Sequence, residues 1–369
     1  MLKQPKSLKY DDSERDYAGL FREVLHSLPV IEKVESVRQP RIEKTSSWRP
    51  DIVFEIEAGG KTWSLVCEVK TTSQPRHVRL AALQLRNFVA HAFKRNAYGV
   101  LLAQHISPES ANICAEAGVG YADLAGNCRL NFDHVYVERT GHKKSPSVRR
   151  EQRSLFAPKS ARILRLLLSA PNRAWKVVEL AEKAQVSLGQ VSNVRKALLD
   201  REWVREEGGG ISVQNPVTVL FAWRDAHAMS RVERASFHTL LHGNALDTAV
   251  RSALLDAGRG EHLVLASFTA AQWIAPFGRS STAWFYADAK GEGALKKRLK
   301  LEPAGSGGNV SIGRTPDKGI FIDRIEPAPD IWTTGLVQTY LDLFVSGERG
   351  VEAADHLLSQ KIAASWKED

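Results

Sequence analysis

Asp51, Glu68 and Lys70 are the residues of this 369-residue chain whose types and spacing point most directly to chemistry. Residues 51–70 (DIVFEIEAGGKTWSLVCEVK) alternate apolar and polar side chains on either side of Gly59-Gly60, a favoured two-residue hairpin loop. A turn there sets Ala58 opposite Lys61, so opposed positions have numbers that sum to 119. One face then carries Ile52, Phe54, Ile56, Trp63, Leu65 and Cys67. The other carries Asp51, Val53, Glu55, Glu57, Thr62, Ser64, Val66, Glu68 and Lys70. A slip of one residue in either strand would mix the two faces. The same register puts Asp51 opposite Glu68, with Cβ atoms about 4.5–5.5 Å apart. Two opposed carboxylates repel, and a divalent cation between them relieves the repulsion; Mg²⁺ is held in this way by one or two carboxylates plus water and phosphate oxygens. Lys70 shares the face and can reach a phosphate oxygen or an attacking water. Metal-assisted phosphodiester hydrolysis, with Mg²⁺ or Mn²⁺ as cofactor, is the chemistry this set suits. The alternative is surface decoration, because edge hairpins commonly carry solvated acids.

Pro50-Asp51 followed by Glu68-Val69-Lys70 at the end of the next strand resembles the signature of the PD-(D/E)XK nuclease superfamily, the restriction-endonuclease-like fold. The resemblance implies that Asp51 and Glu68 ligate the metal and that Lys70 positions or activates the water. A helix expected over 17–28 offers Glu23, where the family often has a further acidic ligand. A helix expected over 78–93 offers Gln84, similar to a catalytic-site glutamine of several resolvase- and repair-type branches. A fold of this kind kept for binding after loss of catalysis is a second alternative. Residues 98–137 would complete the core with a strand, a helix over 109–117 and more strands. Within them, Asp123 and Asn127 suit either a ligand contact or the formation of a turn.

The elements around this site divide the chain by composition. Residues 1–141 are expected to form the α/β domain whose motif resembles the restriction-endonuclease-like fold. Residues 142–158 (HKKSPSVRREQRSLFAP) read as a basic linker, 159–215 as a winged helix-turn-helix, and 216–369 as a mixed α+β domain. The expected fold class is therefore α/β and α+β, multidomain. Charge follows the same division. The chain carries a formal +9, and residues 142–205 hold 15 Lys/Arg against 5 Asp/Glu, so the remainder is close to neutral. A concentrated basic segment suggests a polyanionic partner.

Within 159–213, helices are expected over 160–169, 176–184 and 188–200. The second has Val177, Val178, Leu180 and Ala181 on its core side, and Ser187 is placed to cap the third. Residues 203–206, Gly208-Gly209-Gly210 and 211–213 then form a two-stranded wing. The segment is similar to the helix-turn-helix of bacterial transcription regulators, in which the third helix enters the major groove. That resemblance assigns double-stranded-DNA contacts to Ser187, Gly189, Gln190, Ser192, Asn193, Arg195 and Lys196. Gln and Asn can pair with adenine, and Arg with guanine or a phosphate. A winged helix used for protein contacts is the alternative.

Residues 216–369 hold no local catalytic string. His238 and His242 stand four apart on an expected helix, but a metalloprotease motif needs Glu where Thr239 stands. Residues 265–271 (LASFTAA), Gly308-Asn309-Val310 and 338–343 (QTYLDL) with 348–354 (ERGVEAA) resemble the C-terminal part of AbiEi-family antitoxins of type IV toxin–antitoxin systems. The resemblance implies a DNA-binding repressor and a cognate toxin as partner. This chain departs from the usual arrangement, in which the winged helix is N-terminal. Packing in a core is the default reading of Leu341, Leu343 and Phe344.

Three scattered cysteines, Cys67, Cys114 and Cys128, exclude a disulfide framework and a cysteine zinc cage. No apolar run approaches membrane-spanning length, and 1–16 contains no apolar signal core, so a cytoplasmic, nucleoid-associated protein with no membrane partner is expected. A palindromic operator would imply a homodimer, although no segment reads as a clear dimerisation helix. The combined expectation is a sequence-specific, double-stranded-DNA-binding regulator, antitoxin-like, with a nuclease-like N-terminal domain. The alternatives are a Mg²⁺-dependent endonuclease targeted by its winged helix and a toxin-neutralising interaction protein.

Overall fold

Gly59 and Gly60 both adopt left-handed backbone, with φ of 58° and 70°, and turn the chain between β2 (Ile52–Ala58) and β3 (Lys61–Lys70). The strands pair from Ala58↔Lys61 to Ile52↔Cys67, which is the register the apolar pattern demands. The computed structural model describes residues 12–37, 48–93, 96–141, 154–227, 233–278, 280–305, 307–315 and 317–367. The basic linker read over 142–158 lies outside the described residues up to position 153. The chain is a mixed α/β protein of two compact units, Met1–Glu151 with Asp200–Glu202, and Gln152–Leu199 with Trp203–Asp369.

In the first unit, α1 (Asp12–His26) and β1 (Ile31–Val37) precede the hairpin. After it come α2 (Pro75–Ala92), β4 (Ala97–Ala103), α3 (Pro108–Glu116), β5 (Gly120–Asp123), β6 (Cys128–Phe132) and β7 (Val135–Arg139). The seven strands form one sheet in sequence order. β3, β4 and β5 run parallel in its centre, and antiparallel pairs lie on both sides. The hairpin is thus interior, with β1 hydrogen-bonded to β2 and β4 to β3.

The two faces of this sheet bury different helices. Tyr17, Phe21, Leu25 and Leu28 pack with Ile52, Phe54, Ile56, Leu65 and Cys67 on the face the sequence marks as apolar. On the other face, Val78, Ala81, Ala82, Leu85 and Phe88 of α2 cover Val66, Leu101, Ala103 and Tyr121. Helix α2 therefore buries one end of the face that reads as polar. Val53, Val66 and Glu68 are buried there, while Glu55, Glu57 and Thr62 at the other end stay exposed.

The second unit begins with α4 (Pro158–Ser169), α5 (Val177–Ala184) and α6 (Leu188–Asp200), then the hairpin β8 (Val204–Glu207) and β9 (Gly210–Val213). Leu180, Ala181 and Ala184 form the buried side of α5. Val178, expected in the core, is 68% exposed, because it lies two residues before Leu180 and so on the far side of a helix of 3.6 residues per turn. Gln185 closes α5 in a left-handed conformation (φ 53°), and the N–H of Val186 reaches back to Ala181 O at 3.0 Å. Ser187 Oγ accepts the N–H of Gln190 at 3.2 Å and so caps α6.

The remainder comprises α7 (Pro216–His227), β10 (Arg234–His238), α8 (Gly243–Asp256), β11 (Leu263–Leu265), α9 (Ser267–Ile274), β12 (Ala283–Ala287) and α10 (Ala289–Leu299). These are followed by β13 (Glu302–Pro303), β14 (Val310–Arg314), a 3-10 turn (Lys318–Phe321), β15 (Ile325–Ala328), β16 (Ile331–Thr333), α11 (Leu336–Phe344) and α12 (Glu348–Leu357). The strands β10 to β16 form a mixed sheet in the order β13-β10-β14-β12-β11-β16-β15. His238 and His242 do not share a helix: His238 ends β10, paired with Glu302, and His242 precedes α8. The alternating residues 234–238 hydrogen-bond into the sheet, and that overrides the spacing of four.

A large hydrophobic cluster runs from Leu155 to Trp366 in this unit and includes Leu341 and Leu343, with Phe344 packed against it half-buried. A buried polar group is set beside it. Arg165 on α4 donates to Gln338 Oε1 on α11 and lies 3.7 Å from Asp323 Oδ1. Gln338 Nε2 and the Tyr286 hydroxyl donate to Asp342 Oδ1 at 2.7 and 2.8 Å. Burial raises the Asp342 carboxyl above its ordinary pKa against the pull of His227 and Arg234.

Candidate functional site

Asp51 continues the β2–β3 ladder by one residue, its N–H donating to Cys67 O at 3.1 Å. Its Oδ2 accepts the N–H of Val69 at 2.7 Å, which fixes the carboxylate against the backbone beside Glu68. Glu68 is only 5% exposed, because α2 covers this end of the face. One of its carboxylate oxygens, Oε1, accepts from Lys70 Nζ, and the other, Oε2, is buried with no partner among the described residues. Burial raises the Glu68 pKa above the ordinary carboxylate value; the Asp51 charge adds to the rise, and the Lys70 ammonium opposes it. Lys70 keeps 31% of its side chain exposed, so the ammonium forms the solvent-facing side of the group.

The set Asp51, Glu68 and Lys70 is therefore brought together. An unpaired buried carboxylate oxygen costs on the order of 1–3 kcal/mol or more, and a neighbouring carboxylate adds to that cost. Oxygen donors of this kind are suited to a hard divalent cation such as Mg²⁺ or Mn²⁺. The structure thus offers two carboxylates that would hold the ion and an ammonium beside them.

The two residues drawn from the flanking helices stand apart from this set. Glu23 is exposed on α1, whose buried side packs on the opposite face of the sheet. No group of three or more His, Cys, Asp or Glu side chains is arranged to hold a metal ion among the described residues. Gln84 is half-buried on α2 and makes no hydrogen bond to Asp51, Glu68 or Lys70 among the described residues. Asp123 is 1% exposed and builds its own turn. Its Oδ1 accepts the N–H groups of Ala125 and Asn127, and its Oδ2 accepts Asn127 Nδ2 and the N–H of Ile106, at 2.8–2.9 Å.

In the second unit, α6 presents Gly189, Ser192, Asn193 and Lys196 to solvent, with Ser187 exposed at its N-terminus. Gln190 is turned inward, its Nε2 donating to Ser160 Oγ on α4 at 3.0 Å. Arg195 is half-buried and paired with Glu206 on the hairpin. Several other cations of the basic segment are likewise paired, Arg162 with Asp317, Arg173 with Glu179 and Arg205 with Glu207. Lys196 is exposed and makes no ion pair among the described residues. The exposed polar side of α6 is consequently narrower than the sequence spacing alone gives.

One buried polar residue that the sequence reading passed over is His105, 7% exposed, with Nδ1 3.3 Å from Asp123 Oδ2. The pair is 18 positions apart, His105 two residues beyond β4 and Asp123 at the end of β5, so no local spacing marks it. None of the described helices is long and apolar enough to cross a membrane. No family model, curated protein or solved structure matches the chain.

Proposed function

We propose that this chain is a divalent-cation-dependent DNA endonuclease of PD-(D/E)XK type, directed to double-stranded DNA by a winged helix formed by α4, α5, α6 and the β8–β9 hairpin. The observation that carries this reading is Glu68, a nearly fully buried carboxylate opposite Asp51 with one oxygen unpartnered and Lys70 on the other. A solvated surface hairpin gives no reason for such an arrangement, whereas a cation site does. Asp51 and Glu68 would hold the ion, which when bound supplies Lewis-acid polarisation of the phosphate and a more acidic water. Asp51 is kept in place by the N–H of Val69. Lys70, half-exposed and tethered to Glu68, orients the attacking water and offers a positive charge to a phosphate oxygen. Gly189, Ser192, Asn193 and Lys196 would meet the major groove or its phosphates.

A second reading, a DNA-binding regulator with an inactive nuclease-like unit, is favoured by the placement of Glu23 away from the carboxylate pair, which leaves two acidic ligands where many such nucleases use three. Supercoiled and linear DNA incubated with Mg²⁺, Mn²⁺ or EDTA separates the two. Cutting that needs the cation and is lost in a Glu68→Ala, Lys70→Ala double variant supports the nuclease. Binding without cutting, unchanged in that variant, supports the regulator.

A further inference from the structure

Among the described residues of the first unit, three side chains carry buried polar atoms without a hydrogen-bond partner: Trp63, Glu68 and His105. Two of the three sit at the C-terminal ends of adjacent parallel strands. Glu68 pairs with Leu101 on β4 and Lys70 with Ala103, two residues before His105; Ala103 pairs in turn with Asp123 on β5. The Ser73 hydroxyl, three residues beyond Lys70, donates to His105 O, and the Ser110 hydroxyl donates to Ser73 O at 2.8 Å. The segments leaving β3 and β4 are thereby tied together at the end of the sheet that holds Lys70. Ligands of sheets with parallel strands gather beyond those strands' C-terminal ends.

His105 Nδ1 lies 3.3 Å from Asp123 Oδ2, within ion-pair distance but without hydrogen-bond geometry, and neither ring nitrogen has a hydrogen-bond partner among the described residues. A carboxylate beside one ring nitrogen biases the orientation of the ring and leaves the other nitrogen to serve a substrate. Although burial works against the Asp123 charge, His105 and the donors of Ile106 and Asn127 hold its carboxyl below the ordinary pKa.

Resting on the hydrolytic reading above, we propose that His105, oriented by Asp123, protonates the departing oxygen of the scissile phosphodiester. The water oxygen forms the new bond to phosphorus and releases a proton to solvent. The bond from phosphorus to the departing bridging oxygen breaks, and that oxygen's electron pair takes the Nε2 proton. A phosphate monoester and an alcohol result, and a proton from solvent restores the imidazolium. His105 is 7% exposed, so the transfer requires that Nε2 become accessible when DNA is bound.

The test begins by mapping the positions at which the wild type cuts plasmid DNA with Mg²⁺. Duplexes are then made with sulfur in place of the 3′ or the 5′ bridging oxygen at a mapped position, since a thiolate departs without a proton. His105→Asn keeps a donor where Nδ1 stands and removes Nε2; His105→Gln serves as the second variant. Binding of the unmodified duplex, measured with Ca²⁺ in place of Mg²⁺, should match the wild type. Cutting of the oxygen duplex should fall by about 10²–10⁴-fold, the range of a general acid, and recover to within a few-fold of wild type on one sulfur duplex. An equal loss on the oxygen and both sulfur duplexes, or no loss at all, overturns the role of His105 and leaves the nuclease intact. A wild type that cuts no DNA removes the nuclease reading, and this proposal with it.

Discussion

Replacing Glu68 with Gln keeps the shape of the side chain and an oxygen for Lys70 while removing the buried charge opposite Asp51. In the wild type, burial and the Asp51 charge outweigh the pull of Lys70, so the ionised form is less favourable in the folded protein than in water. The neutral side chain should therefore stabilise the cation-free protein by on the order of 1 kcal/mol, the lower end for one buried polar group left unpaired. For a cooperative unit the size of Met1–Glu151 that corresponds to a rise in Tm of about 2–4 °C. A divalent cation at one hundred times its Kd should stabilise the wild type by about 2.7 kcal/mol and would have no second carboxylate to bind in the variant. Thermal melts in EDTA and in a Mg²⁺ or Mn²⁺ series read both effects. The wild type should melt higher with the cation, whereas Glu68→Gln should start slightly higher and respond little. A variant that loses about 3–5 kcal/mol in EDTA, the cost of breaking a buried ion pair, would refute the reasoning and make Glu68–Lys70 a structural pair. So would a wild type whose melting ignores cations.

Other outcomes follow from contacts elsewhere. Asp123→Ala leaves the buried N–H groups of Ile106 and Asn127 unpartnered and should destabilise the protein by about 3 kcal/mol or more, read by urea unfolding. Lys196→Ala should lower the slope of log affinity for duplex DNA against log salt by about one unit, whereas Arg195→Ala, because Glu206 already holds that cation, should change it less; fluorescence anisotropy across a salt series compares them. The Arg314 guanidinium and then Lys296 hold the Glu292 carboxyl down at about 2. Stability from this group is present above the unfolded value of about 4.3 and is lost as pH falls through the folded value, so Glu292→Gln should flatten the acid limb of a Tm–pH profile between those limits.

The hairpin was legible because two glycines and a clean alternation of faces leave one register open. The burial of Glu68 was not, because it depends on β4 pairing beside β3 and on α2 covering that end of the sheet, and both are long-range. The α5–α6 turn followed from helix spacing and Ser187, while the inward turn of Gln190 and the pairing of Arg195 depend on partners on α4 and the hairpin. The same holds for His238, which sheet pairing draws into a strand, whereas the exposure of Val178 follows from helix spacing alone. Residues 216–367 share their core with the helices before them through side chains such as Arg165, which no composition shift reveals.

The separation between the turn that sets the carboxylates opposite each other and the helix that buries them orders events during folding. A hairpin closed by two residues forms in about 1–10 μs, while parallel pairing waits on closure of a longer crossover. Asp51 and Glu68 thus meet while still hydrated, and their water is stripped only when α2 and β4 dock. The repulsion falls on the later step, so the slow phase of refolding should quicken in Glu68→Gln, and in the wild type when a divalent cation is in the buffer. The ion would then assist the assembly of its own enclosure.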